Sequence, residues 1–314
     1  MRTIRYEEFG APDVLRLVDI DVPAVGPNQI RVAVTAAGVN PFDWHLRSGA
    51  RRFPGLKPPI RPGLEVAGVV DGLGPGVSDV SIGDPVLGWT ALSLADSGGY
   101  ADFALCDGWT RKPDGLDWAA AAALPVAVQT ADTVLRRLAL RAGEMLLING
   151  ASGSVGSMAA QLARSSDVSV IGTAAERNRE LLHEIGVVAV AHGPGLVASI
   201  RASAPRGIDA VFDAAGHDFL SAAIELRGGT DRIVTIADPS GPDMGVELSR
   251  SVAVPRPVAL LATVAAAIVT GRYRLPAPPR QFPLADAAEA HAAGEYETGR
   301  GKIVLRTDAH LGAV

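Results

Sequence analysis

The chain has 314 residues, 48% apolar and 20% charged, enough for well-filled cores and far from the composition of a disordered chain. A net charge of −5 excludes the basic excess that a nucleic-acid-binding surface needs. The single cysteine, Cys106, excludes an intrachain disulfide and any cysteine-cluster metal site.

The N-terminal stretch MRTIRYEEFG carries no apolar segment of the secretory type. The longest apolar run, 258–269, is too short to cross a bilayer and is Ala-rich, as a packed helix would be. The expected location is the cytoplasm, with no membrane and no nucleic acid as partner.

Residues 1–115 read as β-rich. Short apolar runs such as Ile30-Arg31-Val32-Ala33-Val34 and Val66-Ala67-Gly68-Val69-Val70 are broken by Gly, Pro, Asp and Asn clusters, the pattern of a compact barrel with few helices. From Asp117 the texture changes. Stretches 118–124 and 126–140 are Ala/Leu-rich, with Val128, Ala131, Leu135 and Leu138 at helical spacing. Strand and helix patterns then alternate: strand 145–149, helix 154–164, strand 168–173, helix 176–185, strands 208–213 and 232–236. Apolar strands alternating with amphipathic helices predict a doubly wound parallel sheet. The Pro-rich stretch 275–283 reads as a connection, followed by a short helix over 284–293 and a last strand over 301–306.

The strongest chemical pattern is Leu146-Leu147-Ile148-Asn149-Gly150-Ala151-Ser152-Gly153-Ser154-Val155-Gly156. A buried strand enters a Gly-x-x-Gly-x-x-Gly turn that opens a helix. Such a turn lets the backbone approach a pyrophosphate, whose charge the helix's free N–H groups stabilise. The expected contacts there are Gly150, Ser152, Gly153, Ser154, Val155 and Gly156. At the tip of the next strand, Thr173-Ala174 is followed by Glu176, Arg177 and Arg179, with no acid at the tip itself to accept from a ribose 2′-hydroxyl. Arg177 and Arg179 suit a 2′-phosphate, so the expected cofactor is NADPH (NADP+), although Glu176 leaves an NADH reading open. Ala214 and Ala237, past the two following strands, complete the expected cofactor contacts.

Several further blocks carry a family resemblance: Ala36-Ala37-Gly38-Val39-Asn40-Pro41-Phe42-Asp43, Pro62-Gly63-Leu64-Glu65-Val66-Ala67-Gly68, Gly83-Asp84-Pro85-Val86, Gly98-Gly99-Tyr100-Ala101 and Gly301-Lys302-Ile303-Val304-Leu305. With the Gly-rich turn they resemble, over nearly the whole chain, the zinc-free medium-chain dehydrogenases/reductases of the quinone oxidoreductase (zeta-crystallin-like) family. The resemblance implies an α/β protein. A GroES-like, β-rich substrate domain would span 1–116, a Rossmann domain with its doubly wound parallel sheet 117–280, and a C-terminal segment, 281–314, would return to the substrate domain. It also implies a dimer or a tetramer, with a homodimer expected here, a quinone or enone as substrate, and Gln129 and Thr130 as further residues lining the cofactor.

Zinc alcohol dehydrogenases of the same superfamily place Cys and His where this chain has Asn40 and Leu64. With too few ligands for a catalytic metal, no metal site is expected. Many quinone reductases also carry Tyr at or beside the positions of Trp44 and His45, so the acceptor cannot be transferred from any one relative. Without a Lewis acid, hydride transfer to a quinone or activated alkene remains open, because hydrogen-bond donors can stabilise the charge developing on oxygen. The candidates are Asn40 as polar stabiliser, Asp43, and His45 as proton donor. Asn40 also fits a plain turn residue before Pro41, Asp43 a helix-start residue, and His45 an ordinary cleft residue. Two other functions stay open: an enoyl-thioester reductase related to polyketide enoylreductases, and a non-catalytic NADPH-binding sensor or interaction protein.

Overall fold

The computed structural model describes residues 1–52, 55–91, 97–249, 255–297 and 301–307. In chain order the first elements are β1 (Arg2–Arg5), β2 (Arg16–Asp19), β3 (Ile30–Val39), α1 (Pro41–Arg47), β4 (Glu65–Leu73), β5 (Pro85–Thr90) and β6 (Phe103–Arg111). Two helices follow, α2 (Trp118–Ala122) and α3 (Pro125–Leu138). Then come β7 (Met145–Asn149), α4 (Ser154–Arg164), β8 (Ser169–Ala174), α5 (Arg179–Glu184), β9 (Val188–Ala191) and α6 (Leu196–Ser203). The chain continues through β10 (Ala210–Asp213), α7 (Leu220–Arg227), β11 (Ile233–Thr235) and β12 (Glu247–Leu248). It ends with α8 (Val258–Val269), β13 (Arg280–Pro283), α9 (Ala287–Tyr296) and β14 (Ile303–Arg306).

These elements form two compact units. One takes Met1–Val126, Val258–Arg272 and Ala277–Val314; the other takes Ala127–Pro257 and Tyr273–Pro276. In the first, a mostly antiparallel sheet runs β13-β14-β3-β4-β5-β6, and β3 also pairs with β6, so that β3 to β6 close on themselves. Closure removes two sheet edges, and it requires tight strand contact. A Cβ on Gly68 would lie 2.1 Å from the Ala33 carbonyl oxygen, so only glycine fits there. Ile4, Tyr6, Val32, Leu46, Ile60, Val66, Ala287, Ala290 and Leu305 share one apolar core, which draws β-strands, α1, α9 and the returning β14 together.

In the second unit the sheet is parallel throughout, in the order β12-β11-β10-β7-β8-β9. Strand order reverses at β7, whose neighbours are β8 on one side and β10 on the other. That switch point is where doubly wound sheets take their ligands. Trp118–Leu138 is long and apolar enough to cross a membrane by composition, yet 67% of its apolar window is buried in the fold, as in a core helix.

Two sequence expectations change. The stretch read as connection ends in a strand, β13, pairing parallel with β14 at the sheet edge. Pro278 and Pro279 precede it and Pro283 ends it, positions where proline costs an edge strand no ladder bond, so the prolines concealed it. The helix expected over 176–185 is broken: a 3₁₀ turn covers Glu176–Asn178 and α5 starts at Arg179, because Asn178 (φ −106°, ψ 3°) leaves the helical region.

Candidate active site and dinucleotide cradle

In the parallel-sheet unit, Gly150 ends β7 at φ 77°, a left-handed conformation open to glycine at little cost. A Cβ on Gly156 would stand 2.3 Å from the Gly150 carbonyl oxygen, so this glycine seats α4 on the turn. Gly153, at φ −77°, is the N-cap of α4, and no side chain caps that helix. The first-turn N–H groups therefore keep their capacity for an anion. Ser152 in the turn accepts a hydrogen bond from Asn178 Nδ2 at 3.0 Å. This cradle fits a dinucleotide pyrophosphate.

Around it the strand tips are cross-linked by buried polar side chains. Thr173 Oγ1 donates to Asn149 Oδ1 at 2.6 Å and accepts the Gly150 N–H at 3.2 Å. Asn149 Nδ2 donates to Asp213 Oδ1 at 2.8 Å and to the Gly216 carbonyl at 3.0 Å. Asp213 Oδ2 accepts from Thr235 Oγ1 at 2.7 Å. Of the residues expected at the cofactor, Gly150, Ser152 to Gly156, Thr173, Ala174, Ala214 and Ala237 all gather at the carboxyl ends of β7, β8, β10 and β11. Arg177 and Arg179 follow the tip of β8 and are exposed, with Arg179 Nε 3.1 Å from Glu176, a surface pair worth little and readily redirected. Gln129 and Thr130 are buried on α3, and Gln129 Oε1 accepts from Arg256 Nη1 at 3.1 Å.

The barrel unit holds a second polar cluster, centred on Glu65 at the start of β4. Its carboxylate is fully buried and reaches three elements. Oε1 meets Lys302 Nζ at 2.7 Å and Asn40 Nδ2 at 2.9 Å, while Oε2 accepts the Val126 N–H at 2.7 Å in the first turn of α3. Lys302, brought in just ahead of β14, also donates to Asn40 Oδ1. Cation and carboxylate thus grip opposite ends of one amide and fix which way Asn40 points.

Asn40 is also the N-cap of α1, and its backbone N–H donates to Asp43 Oδ2 at 2.8 Å. The same oxygen accepts from Tyr100 Oη at 3.0 Å, and His291 Nε2 lies 3.3 Å from that hydroxyl. Burial pushes the Asp43 carboxyl up to about 6, against the Asn40 and Tyr100 hydrogen bonds and the Lys302 charge. Burial, and next the charge of Arg47, push His291 down to about 3. The Tyr100 proton goes to Asp43, so the neutral imidazole donates from Nε2 and its Nδ1 is left a bare acceptor, buried without a partner among the described residues. Arg47, with no side-chain exposure, binds Glu295 through Nη2 at 2.7 Å, while among the described residues its Nε and Nη1 and the Tyr6 hydroxyl find no partner.

Asn40 and Asp43 therefore meet, but His45 does not join them. It sits on the exposed side of α1, where crowding of its ring pulls its pKa below the usual value. Sequence reasoning assigned no site role to Glu65, Tyr100, His291 and Lys302, nor to Asn149, Asn178 and Asp213. Glu65 and Lys302 did carry a trace, each a lone charge beside an apolar strand run.

Two family models match the chain, the first within the barrel unit and the second across residues of both units. The alcohol dehydrogenase GroES-like domain model matches residues 26–114, and the zinc-binding dehydrogenase model matches residues 186–305. A GroES-like domain and a Rossmann-type sheet in one chain define a medium-chain dehydrogenase/reductase. Mouse quinone oxidoreductase is 33% identical, over 97% of both chains. The quinone oxidoreductase structure from Coxiella burnetii superposes with a TM-score of 0.84 at 28% identity, covering 98% of this chain and 99% of that one. A mycobacterial protein solved in complex with NADPH superposes with a TM-score of 0.80 at 26% identity, covering 98% of this chain and all (100%) of that one. Within the superfamily, the chain belongs to the quinone oxidoreductase family.

The metal named in the second domain model does not fit these residues. Cys106 is buried in β6, the Asn40 amide is gripped at both ends, and Leu64 offers no ligand atom. Among the described residues no group of three or more His, Cys, Asp or Glu side chains is placed to hold a metal ion; His310 lies outside them.

Proposed function

We propose that the protein is an NADPH-dependent oxidoreductase that reduces a quinone or an activated alkene without zinc, working in the cytoplasm as a homodimer. The observation that carries this reading is the uncapped start of α4 behind the Gly150 turn, at the switch point of a parallel sheet, in a chain of this family. When bound, NADPH supplies the hydride. The parallel-sheet unit is the cofactor domain, and the barrel with its C-terminal return is the substrate domain. Backbone N–H groups of Ser154, Val155 and Gly156 hold the pyrophosphate, Arg177 and Arg179 the 2′-phosphate, and Gln129, Thr130, Ala174, Ala214 and Ala237 line the rest.

On the substrate side, Lys302 and Glu65 hold Asn40 so that its second Nδ2 hydrogen meets the acceptor oxygen as charge develops there. Asp43 fixes the first turn of α1, which carries both Asn40 and His45. His45, exposed on α1, delivers the proton from its imidazolium form, which its lowered pKa makes scarcer as pH rises, so turnover should fall with rising pH.

Steady-state NADPH oxidation across quinones, small enones and enoyl-thioesters, with and without chelator, tests the reading. Turnover of quinones or enones in chelator is expected. Turnover of thioesters alone would assign an enoyl-thioester reductase, and no turnover of any class a binding protein. Arg177→Ala with Arg179→Ala should weaken NADPH roughly tenfold, from loss of charge-assisted bonds, and leave NADH unchanged. His45→Gln should slow enones by up to about 10²-fold, and quinones less, since water can protonate a reduced quinone.

A further inference from the structure

The lattice at the strand tips reaches three of the loops where cofactor contacts are expected, the Gly150 turn and the loops after β10 and β11. Thr173 Oγ1 grips the Gly150 N–H, and Asn149 passes the link to Asp213. Asp213 Oδ1 also accepts the N–H groups of Ala215 (3.2 Å) and Gly216 (2.8 Å), while Oδ2 takes the Thr235 hydroxyl. Thr235 Oγ1 in turn accepts the N–H groups of Ala237 (3.1 Å) and Asp238 (2.9 Å). Asn149, Thr173, Asp213 and Thr235 are each 0–1% exposed, so their side chains face the interior of this unit and not its solvent edge.

We infer that Thr173 and Asp213 are positioning residues for the dinucleotide, setting the Gly150 turn and the loops after β10 and β11 through backbone N–H groups without touching the cofactor themselves. The inference rests on the NADPH reading above. The Thr173 hydroxyl is committed twice, once as donor and once as acceptor, and the backbone N–H it holds belongs to a residue in the left-handed region. Removing that hydroxyl frees a turn whose conformation depends on it, and a binding loop that must be ordered on binding binds more weakly.

The test titrates the full-length protein with NADPH and with NADH, following nicotinamide fluorescence, and records the melting temperature of each variant. Thr173→Val should weaken both dinucleotides alike, roughly tenfold for one lost buried hydrogen bond, and Thr173→Ser should restore binding to within about twofold. Loss of NADPH alone would point to 2′-phosphate contact and overturn the inference. So would a Val variant that binds like wild type while melting earlier, since the hydroxyl would then serve only the fold. Should Thr173→Val not fold, Asp213→Asn decides by the same criteria: it keeps size, but turns an amide N–H₂ toward Thr235 or toward the loop N–H groups. If the wild type binds neither dinucleotide, the cofactor reading falls and this inference with it, whereas normal wild-type binding with unaltered variants overturns the inference alone.

Discussion

Two buried polar clusters of similar size behave differently. At the strand tips of the parallel-sheet unit, the side-chain oxygens and the Nδ2 of Asn149, Thr173, Asp213 and Thr235 all have partners, most of them backbone groups of adjacent loops. In the barrel unit the Glu65 end is equally complete, but the far end leaves His291 Nδ1, Arg47 Nε, Arg47 Nη1 and Tyr6 Oη without partners among the described residues. A complete network fixes one geometry, because any displacement strands a buried group at a cost of about 1–3 kcal/mol. An incomplete one is a place for ordered water, since native proteins rarely leave such groups bare. The contrast predicts rigidity in the loops that would carry a cofactor and ordered water at the far end of the barrel cluster.

The largest effect should come from the ion pair that completes one end of the barrel cluster. Lys302→Met leaves the Glu65 carboxylate buried with no cation, and stability to urea should fall by about 3–5 kcal/mol. Adding Glu65→Gln should recover part of the loss, because the neutral amide tolerates burial. Equal losses in single and double variants would show that Lys302 serves packing and not charge.

Next in size is a member of the complete lattice. Thr235→Val strands the N–H groups of Ala237 and Asp238 and one oxygen of Asp213, and should cost about 1–3 kcal/mol in the same urea assay. An unchanged midpoint would mean that the loop after β11 finds other partners.

A smaller effect follows from pH, because two groups oppose each other. Asp43 holds its proton up to about 6 in the folded chain against an ordinary 3.8, so the folded state binds more protons across that window and stability falls as pH rises through it. His291, at about 3 against an ordinary 6.5, does the reverse: the unfolded chain binds more protons, and stability rises with pH from about 3 to 6.5. Between pH 4 and 6 the slopes partly cancel. Asp43→Asn should therefore steepen the rise of stability with pH, and His291→Gln should turn it into a fall, as read by urea midpoints at each pH. Parallel curves for wild type and both variants would show that neither group titrates as its burial demands.

How far the sequence disclosed all this depended on distance along the chain. The strand and helix around Gly150 were legible because their apolar spacing and three glycines are local, and the structure places β7 and α4 over the expected residues. The doubly wound sheet followed from alternation, a short-range pattern. The break at Asn178 and strand β13 were hidden by helix-like charges and by flanking prolines. The clusters were less accessible still. Lys302 and Asn40 are 262 positions apart, and His291 and Tyr100 are 191 apart, so nothing local announces that they meet. A charge beside an apolar run, as at Glu65, tells that a partner must exist without telling which.

The smallest expected effect is also the sharpest test of the contrast between the clusters. Tyr6→Phe deletes a fully buried hydroxyl that has no protein partner, from a side chain otherwise packed in the barrel core. Taken dry, an unpaired buried hydroxyl is a liability, and its removal should raise stability by about 1 kcal/mol or more. Bridged by water to Arg47, whose charge acts on Tyr6, the hydroxyl is satisfied, and removal should cost up to about 1 kcal/mol as a hydrogen bond is lost. Hydration of the incomplete end predicts the second sign, a change of about 0 to 1 kcal/mol toward lower stability, far below the Thr235→Val loss. A clear gain in the urea midpoint would show that the interior behind α1 is dry. The two clusters would then differ in how much strain each stores, not in water.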